Sequence, residues 1–131
     1  MKKQLESVKE FHDTFALGNH EMPTLIEESD CNLRHSLMAE ENNEYLEACR
    51  ENNLAEIADA LGDQMYILCG TILKHGMQHI IEQVFDEIHR SNMSKLQDGK
   101  PVYREDGKVL KGDGYFKPDL KQFMKDVYYP T

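Results

Sequence analysis

The sequence has few cysteines, and their placement excludes two kinds of protein. Cys31, Cys49 and Cys69 are odd in number and show no CxxC spacing, which argues against a disulfide framework and against a zinc site. No internal repeat or low-complexity segment is visible. Hydrophobic residues make up 40% of the chain and charged residues 30%. Because these are ordinary values for a globular protein, we expect a folded chain with a core.

The sequence also lacks long apolar runs and an excess of basic residues. No stretch approaches about 18 apolar residues, and the first residues contain no apolar signal-peptide core. We therefore expect a cytosolic protein with no membrane partner. The net charge is −9, from 24 acidic and 15 basic residues. This balance disfavours a broad grip on the phosphates of a nucleic acid, although a single nucleotide is compatible with it when metal ions screen the site.

Helical periodicity accounts for the first three quarters of the chain. A length of 131 residues suits one domain, which we place at residues 1–131. Its core is predicted to lie at about residues 2–97, and its C-terminal tail at about 98–131. The predicted class is all-α with a four-helix-bundle-like core. The four helices are expected at about residues 2–17, 31–50, 54–75 and 77–96. Asn53 is the predicted N-cap of the third helix.

The sequence of the C-terminal tail is typical of turns and loops. Asp106 and Gly107 form the preferred pair for a two-residue type I′ turn, so a small hairpin or ordered loop is expected around them. Pro118 and Asp119 are expected to open a short final helix that runs through Phe123 to about Tyr128.

The third helix is apolar on two sides. Its main predicted stripe consists of Ile57, Leu61, Met65, Leu68 and Ile72. Ile67 lies on the opposite side of the helix. A helix of this kind packs against neighbours on both sides, and four helices offer limited cover for it. The sequence therefore predicts a homo-oligomer, either a dimer or a tetramer.

Acidic residues recur with a spacing of three in two consecutive helices, which places each pair on one helical face. In the first pair, Glu44 falls within an apolar arc that includes Leu33, Leu37 and Ala48, and Glu41 lies beside it. Buried carboxylates without a partner are costly, so this arrangement favours a cation. Ligands that are all oxygen suit Mg²⁺ or Mn²⁺. The candidate metal ligands are Glu41, Glu44, Glu56, Asp59 and Asp63.

Several of the acidic residues have a plainer alternative. Glu40 and Glu47 fall towards the outer edge of their helix and fit surface charges better than ligands, although Glu40 beside Glu41 could act as a base. Glu56 could serve only as a helix cap, and Asp59 and Asp63 could simply be solvated. In the fourth helix, Asn92 and Lys95 lie along the same arc as the apolar residues Ile81, Val84 and Ile88. An amide and a cation on that arc are candidate substrate contacts, whereas the alternative is that Lys95 snorkels to solvent.

The run EENNE, at residues 40–44, and the run EIADALGDQMYIL, at residues 56–68, resemble the EExxE and ExxD motifs of a known superfamily. It comprises the all-α nucleoside triphosphate pyrophosphohydrolases, which include MazG and the dimeric dUTPase-like enzymes. The resemblance covers about residues 2–97. The ending EIHRSNMSKLQDGKPVYREDGKVLKGDGYFKPDL is similar to the tail of phage and bacterial MazG-like members.

The resemblance implies a helical, usually oligomeric, Mg²⁺-dependent enzyme. Such enzymes cleave a nucleotide between its α and β phosphates and release a monophosphate and pyrophosphate. Carried over position by position, the metal ligands are Glu41, Glu44, Glu56 and Asp59, with Asp63 as the alternative to Asp59. Glu40 matches the leading Glu of EExxE, and Asn92 with Lys95 sits where the superfamily has substrate contacts.

The leading functional prediction is a hydrolase that acts on the acid anhydride of a nucleoside triphosphate or related nucleotide. A metal-activated water would attack phosphorus, and Glu41 or Glu40 would help to deprotonate that water. Two other classes stay open. One is a non-catalytic nucleotide or metal sensor on the same fold, and the other is a helical interaction module whose acidic residues are solvated.

Overall fold

A computed structural model of the chain describes residues 1–124. It confirms the all-α class: the described residues contain four α-helices and one short 3₁₀-helix, with no strand among them. The helices are α1 (Lys2–Thr14), α2 (Glu28–Arg50), α3 (Leu54–Lys74) and α4 (Ile81–Met93). No described helix is long and apolar enough to span a membrane.

The described residues fall into two compact units. We call Met1–His79 the helical unit, and the described residues from Ile80 onward the tail unit. The proposal that residues 1–131 act as a single domain stays a prediction.

In the helical unit, α2 and α3 form an antiparallel pair joined by a three-residue connection. Asn53 caps α3 as predicted, because its side chain accepts the backbone N–H of Glu56 at 3.2 Å. Asn52 adopts a left-handed φ of 54° in the connection. The pair is tied farther along by Gln64, whose Nε2 donates to Oδ1 of Asn42 at 3.1 Å. The turn of α2 that contains Asn42 therefore lies beside the turn of α3 that contains Gln64.

Arg34 forms a second hydrogen-bonded contact between α2 and α3. This arginine is buried, and its guanidinium donates to Oγ1 of Thr71 at 3.0 Å and to the carbonyl of Ile67 at 2.9 Å. A Cβ atom on Gly70 would lie 2.6 Å from Nη2 of Arg34 and 2.9 Å from Nε2 of His12. Glycine at position 70 therefore allows side chains from α1 and α2 to reach the backbone of α3.

Four predicted helix boundaries differ from the structure by three or four residues. The second helix begins at Glu28 rather than at residue 31, and the fourth ends at Met93 rather than at residue 96. The first helix ends at Thr14 rather than at residue 17. The fourth begins at Ile81 rather than at residue 77, because Gly76 takes a left-handed φ of 67° and passes close to the backbone of Met22. The backbone N–H of Thr24 donates to the carbonyl of His75 at 2.8 Å. This pairing turns the chain after α3 and delays the next helix.

The tail unit consists of α4 and the segment that folds back onto it. The hydroxyl of Ser91 donates to the carbonyl of Phe116 at 2.8 Å, and Glu87 accepts the backbone N–H of Asp119 at 2.8 Å. Both Glu87 and Ser91 are buried. A short final 3₁₀-helix covers Lys121–Phe123. This helix begins three residues after the predicted start at Pro118, and it ends at Phe123 with Met124 as its C-cap. The rest of the predicted helix, residues 125–128, lies outside the described residues.

The predicted two-residue type I′ turn is wrong. Type I′ requires a positive φ at both central residues, but at this turn Gly107 has the positive φ, of 87°, and Asp106 does not. The backbone N–H of Gly107 donates to the carbonyl of Arg104 at 2.9 Å. The backbone N–H of Arg104 donates to the carbonyl of Lys108 at 2.8 Å. The loop is therefore a three-residue one, a type I turn followed by a glycine bulge, in which Tyr103 and Val109 form an isolated antiparallel bridge.

Candidate functional site

Three carboxylates converge between α2 and α3. Glu41, Glu44 and Asp63 each offer an oxygen atom, and these atoms all lie within 4.8 Å of one another. The spacing of three residues puts Glu41 and Glu44 on one side of α2, and the antiparallel pairing brings Asp63 of α3 opposite them. Within residues 1–124 this carboxylate cluster is the one group of at least three His, Cys, Asp or Glu side chains that meets this distance.

Glu41 is the least satisfied member of the carboxylate cluster. The side chain is half-buried, and its Oε2 atom is buried without a hydrogen-bond partner among the described residues. Burial raises the pKa of Glu41 to about 7, with further contributions from a hydrogen bond and repulsion with Glu44 and from the charges of Asp63 and Glu40. Glu41 therefore holds a proton more readily than an ordinary glutamate does.

Asp63 experiences the same environment. Burial raises the pKa of its carboxyl above the usual range, and the negative charges of Asp59 and Glu44 add to that effect. Like charges that crowd a partly desolvated site disfavour ionisation. A cation placed among these oxygens would relieve both the repulsion and the lost hydration.

The residues present fit a hard divalent cation. The donor atoms of the carboxylate cluster are all carboxylate oxygens, which Mg²⁺ and Mn²⁺ prefer over nitrogen and sulfur. The unpartnered Oε2 of Glu41 supplies an acceptor to which no residue among 1–124 donates. Glu41, Glu44 and Asp63 are therefore the residues that would hold the ion.

An acidic cavity of about 580 Å³ adjoins the carboxylate cluster and shares Glu44 with it. It lies between the C-terminal half of α2 and the N-terminal part of α3. Its lining residues are Glu44, Glu47, Ala48, Glu51, Asn53, Glu56, Asp59 and Ala60. The candidate ligands thus form two overlapping sets: Glu41, Glu44 and Asp63 in the cluster, and Glu44, Glu56 and Asp59 around the cavity.

The predicted arc of α2 differs from the observed one. Leu33 is 53% exposed, whereas Arg34 and Ala48 are buried. Glu44, expected within the arc, is exposed, and Glu41, expected beside it, is half-buried. Glu41 lies seven residues after Arg34, which is two helical turns. It therefore shares the α3-facing side of α2 with that buried arginine.

Glu56 and Glu40 are both exposed. In a reciprocal cap the Glu56 side chain would accept the backbone N–H of Asn53, but that N–H donates to the carbonyl of Ala48 at 3.1 Å. Glu40 precedes Glu44 and Glu47 by four and seven residues, so helical periodicity places it on the side of α2 that lines the acidic cavity.

Asn92 and Lys95 belong to the tail unit. Asn92 is exposed in the last turn of α4, and Lys95 lies just beyond the helix and is half-buried. The arc predicted for this helix is partly wrong, because Val84 is buried together with Glu87 and Ser91 while Ile88 is 37% exposed. The substrate-binding roles of Asn92 and Lys95 stay predictions.

Sequence reasoning missed the polar residues that position these elements. Arg34 has a usable signal, since its distance of seven residues from Glu41 predicts the same helical face. No local sequence pattern identifies Ser91 and Glu87, because their hydrogen-bond partners are backbone atoms of the distant residues Phe116 and Asp119.

A family model described as phosphoribosyl-ATP pyrophosphohydrolase matches residues 8–92. The matched region contains the carboxylate cluster, the residues that line the acidic cavity and Asn92, and it ends before Lys95. A search of curated proteins finds no match.

Proposed function

Because this chain belongs to the phosphoribosyl-ATP pyrophosphohydrolase family, part of the MazG-like superfamily, we propose that it is a Mg²⁺-dependent nucleoside triphosphate pyrophosphohydrolase. Family membership supports hydrolysis of a pyrophosphate bond in a nucleotide-like substrate. Our proposal adds the cation, with Mn²⁺ as a possible substitute, and the substrate class, a nucleoside triphosphate or related nucleotide. Cleavage between the α and β phosphates would release a nucleoside monophosphate and pyrophosphate.

The observation that carries this proposal is the carboxylate cluster with the unpartnered oxygen of Glu41. Surface carboxylates that serve solubility point into water and keep ordinary proton affinities. Here burial and neighbouring charges raise the pKa of both Glu41 and Asp63. Perturbed groups of this kind concentrate at functional sites.

Within the proposed mechanism, Glu41, Glu44 and Asp63 would hold the cation. When bound, Mg²⁺ neutralises phosphate charge and lowers the pKa of a water that can attack phosphorus. Glu41 must give up its proton before it can ligate. A carboxylate engaged with a cation is a weaker proton acceptor, so we assign the general base to Glu40 rather than to Glu41. Glu56 and Asp59, which line the acidic cavity, would hold further cations that accompany the phosphates.

The test is a product assay on the purified chain with a panel of ribonucleoside and deoxyribonucleoside triphosphates. We expect pyrophosphate and a nucleoside monophosphate in the presence of Mg²⁺ or Mn²⁺, and neither product with a chelator. Release of orthophosphate would contradict the assigned cleavage position. Binding of a nucleotide that is recovered unchanged would instead favour a non-catalytic sensor.

A further inference from the structure

The carboxylate cluster and the buried Arg34 lie on the same two helices, two turns apart. Arg34 precedes Glu41 by seven residues in α2, and Gly70 follows Asp63 by seven residues in α3. Seven residues make two helical turns, or about 10.5 Å. Because α2 and α3 are antiparallel, both steps lead in the same direction from the cluster. Arg34 therefore meets Gly70 in the register in which Glu41 meets Asp63.

Arg34 depends on one stretch of α3 for its hydrogen bonds. Its side chain is 7% exposed and forms no ion pair with any residue among 1–124. A buried cation of this kind is costly unless its N–H groups find acceptors. Nε donates to Oγ1 of Thr71 at 3.0 Å, and Nη2 donates to the carbonyl of Ile67 at 2.9 Å. Sliding α3 along α2 would separate the guanidinium from both acceptors.

Gly70 gives the guanidinium access to the backbone of α3. A Cβ atom at this position would lie 2.6 Å from Nη2 of Arg34 and 2.9 Å from Nε2 of His12, both closer than van der Waals contact. The two side chains from α1 and α2 thus meet α3 where it has no side chain of its own. A Cβ atom at Gly62, the other glycine of α3, would meet no neighbouring element within 4 Å. The close approach is therefore specific to Gly70.

A shift of about one helical turn between α2 and α3 would change the composition of the carboxylate cluster. It would bring Asp59 opposite Glu41 and Tyr66 opposite Arg34, because each lies four residues before its present counterpart in α3. A phenol ring would then stand where Gly70 has no side chain, and it would block the guanidinium from the backbone. The contact at Arg34 is therefore compatible with the observed register and incompatible with the shifted one.

We propose that Arg34 is a positioning residue for the cation site. Its buried contact with α3 at Gly70 fixes the register between the two helices. That register places Asp63, rather than Asp59, beside Glu41. Arg34 itself touches neither the cation nor the substrate. The inference rests on the proposed function, and it adds the contact that decides which carboxylates hold the cation.

The first measurement follows the register on the full chain without any metal. Nε2 of Gln64 donates to Oδ1 of Asn42 at 3.1 Å, and each of these residues is the immediate neighbour of a cluster carboxylate. Nuclear Overhauser contacts between the two side chains should be present in the wild type. They should be lost in Arg34→Met, which keeps a long side chain but no donor. The matched control is Leu5→Ala, which removes apolar atoms from a buried position of α1 and should keep the contacts.

The second measurement is the dissociation constant for Mn²⁺, taken from the electron paramagnetic resonance signal of the free ion. Arg34→Met should raise this constant at least about tenfold, at a temperature where circular dichroism shows a folded chain. Gly70→Ala keeps the charge but displaces the guanidinium, so it should also weaken Mn²⁺ binding. Arg34→Lys can reach at most one of the two acceptors and should lie between Arg34→Met and the wild type. Leu5→Ala should bind Mn²⁺ as the wild type does.

Unchanged Mn²⁺ affinity in Arg34→Met would overturn the inference. So would a loss of affinity with the contacts between Gln64 and Asn42 intact, because Arg34 would then act through its charge and not through the register. Equal losses in Arg34→Met and Leu5→Ala would overturn it too, since lower stability would explain both. If Arg34→Met does not fold, Arg34→Lys and Gly70→Ala decide by the same criteria. A wild type that binds no Mn²⁺ would contradict the proposed function instead, and the Overhauser contacts would then decide the role of Arg34.

Discussion

Glu41 of α2 and Glu87 of α4 are both withdrawn from solvent, yet their surroundings are opposite. Carboxylates surround Glu41, and burial together with Glu44 raises its pKa to about 7. Glu87 accepts from Arg90 at 2.7 Å and from the backbone N–H of Asp119 at 2.8 Å, and these bonds lower its pKa. A withdrawn carboxylate with partners stabilises the fold, whereas one without them is available to a ligand.

The same contrast extends to the two units. The helical unit carries 15 acidic and 6 basic residues, while residues 80–124 carry eight of each kind. The net charge of −9 therefore arises in the helical unit. In the tail unit, charged side chains pair locally, as Arg90 does with Glu87 while its guanidinium lies 4.3 Å from the ring of Phe116. Unpaired negative charge thus marks the region in which a cation would bind.

The largest expected effect is on turnover when a cluster carboxylate loses its charge. Glu41→Gln and Glu44→Gln should each lower kcat by at least about 10²-fold, because cation binding and water activation depend on them. Without metal, both variants should be as stable as the wild type or more so, since each removes repulsion. Added Mg²⁺ should raise the melting temperature of the wild type by mass action, and that of the variants less.

These measurements have a matched control in Glu10→Gln, an exposed carboxylate of α1. It should leave both turnover and the Mg²⁺-dependent stabilisation unchanged. A Glu44→Gln protein that is fully active, or that gains as much stability from Mg²⁺ as the wild type, would remove Glu44 from the site.

A smaller effect is expected from Lys95, which tests whether the tail unit contributes to catalysis. This half-buried lysine makes no ion pair with any residue in the part of the chain that the structure describes. If it contacts a substrate phosphate, Lys95→Ala should raise KM roughly tenfold with little change in melting temperature. Lys100→Ala, at an exposed lysine of the same unit, is the control. Unchanged kinetics in Lys95→Ala would show that Lys95 does not contact the substrate.

Glu87→Gln should have a structural effect and no direct catalytic one. The amide can still accept the N–H of Asp119, but the ion pair with Arg90 is lost. We expect the melting temperature to fall by about 2–5 °C, measured by circular dichroism, with KM for the substrate unchanged. The neighbouring exposed residue gives the control, Asp86→Asn, which should melt as the wild type does. An equal fall in both variants would show that the Glu87 contacts contribute nothing specific.

Local signals predicted much of the fold. The cap at Asn53, the end of α3 near His75 and the all-α class follow from residues close in sequence, and the structure agrees with each. The start of α4 was not predictable in this way. It depends on Gly76 passing close to Met22, a contact between residues 54 positions apart.

The candidate site was predictable in composition and less so in arrangement. A spacing of three residues is sufficient to place Glu41 beside Glu44. Whether Asp59 or Asp63 joins them depends on the register between α2 and α3, which side-chain contacts such as those of Arg34 set from across the helix interface. The exposure of Leu61 and Leu68 was not predictable either. Periodicity identifies an apolar stripe on a helix but does not say which neighbour covers it.

The smallest effect we predict is on the pH dependence of stability without metal, where Glu41 and Glu87 act in opposite directions. The folded-state pKa of Glu41, about 7, lies above the ordinary value of 4.5, so the folded state binds more protons between these values. Stability should therefore fall as pH rises from about 4.5 to about 7. The folded-state pKa of Glu87 is lowered, so its contribution is present above 4.5 and is lost as pH falls below that value. Chemical unfolding in the presence of chelator, repeated from acidic to neutral pH, would measure the free energy of unfolding in both ranges. We call the range from about 4.5 to about 7 the upper limb and the range below 4.5 the acid limb. Glu41→Gln should flatten the upper limb, leaving a residual slope from Asp63, whose pKa is also raised, and Glu87→Gln should flatten the acid limb. An upper limb of the same slope in Glu41→Gln and wild type would show that Glu41 is no more strained than an ordinary surface glutamate.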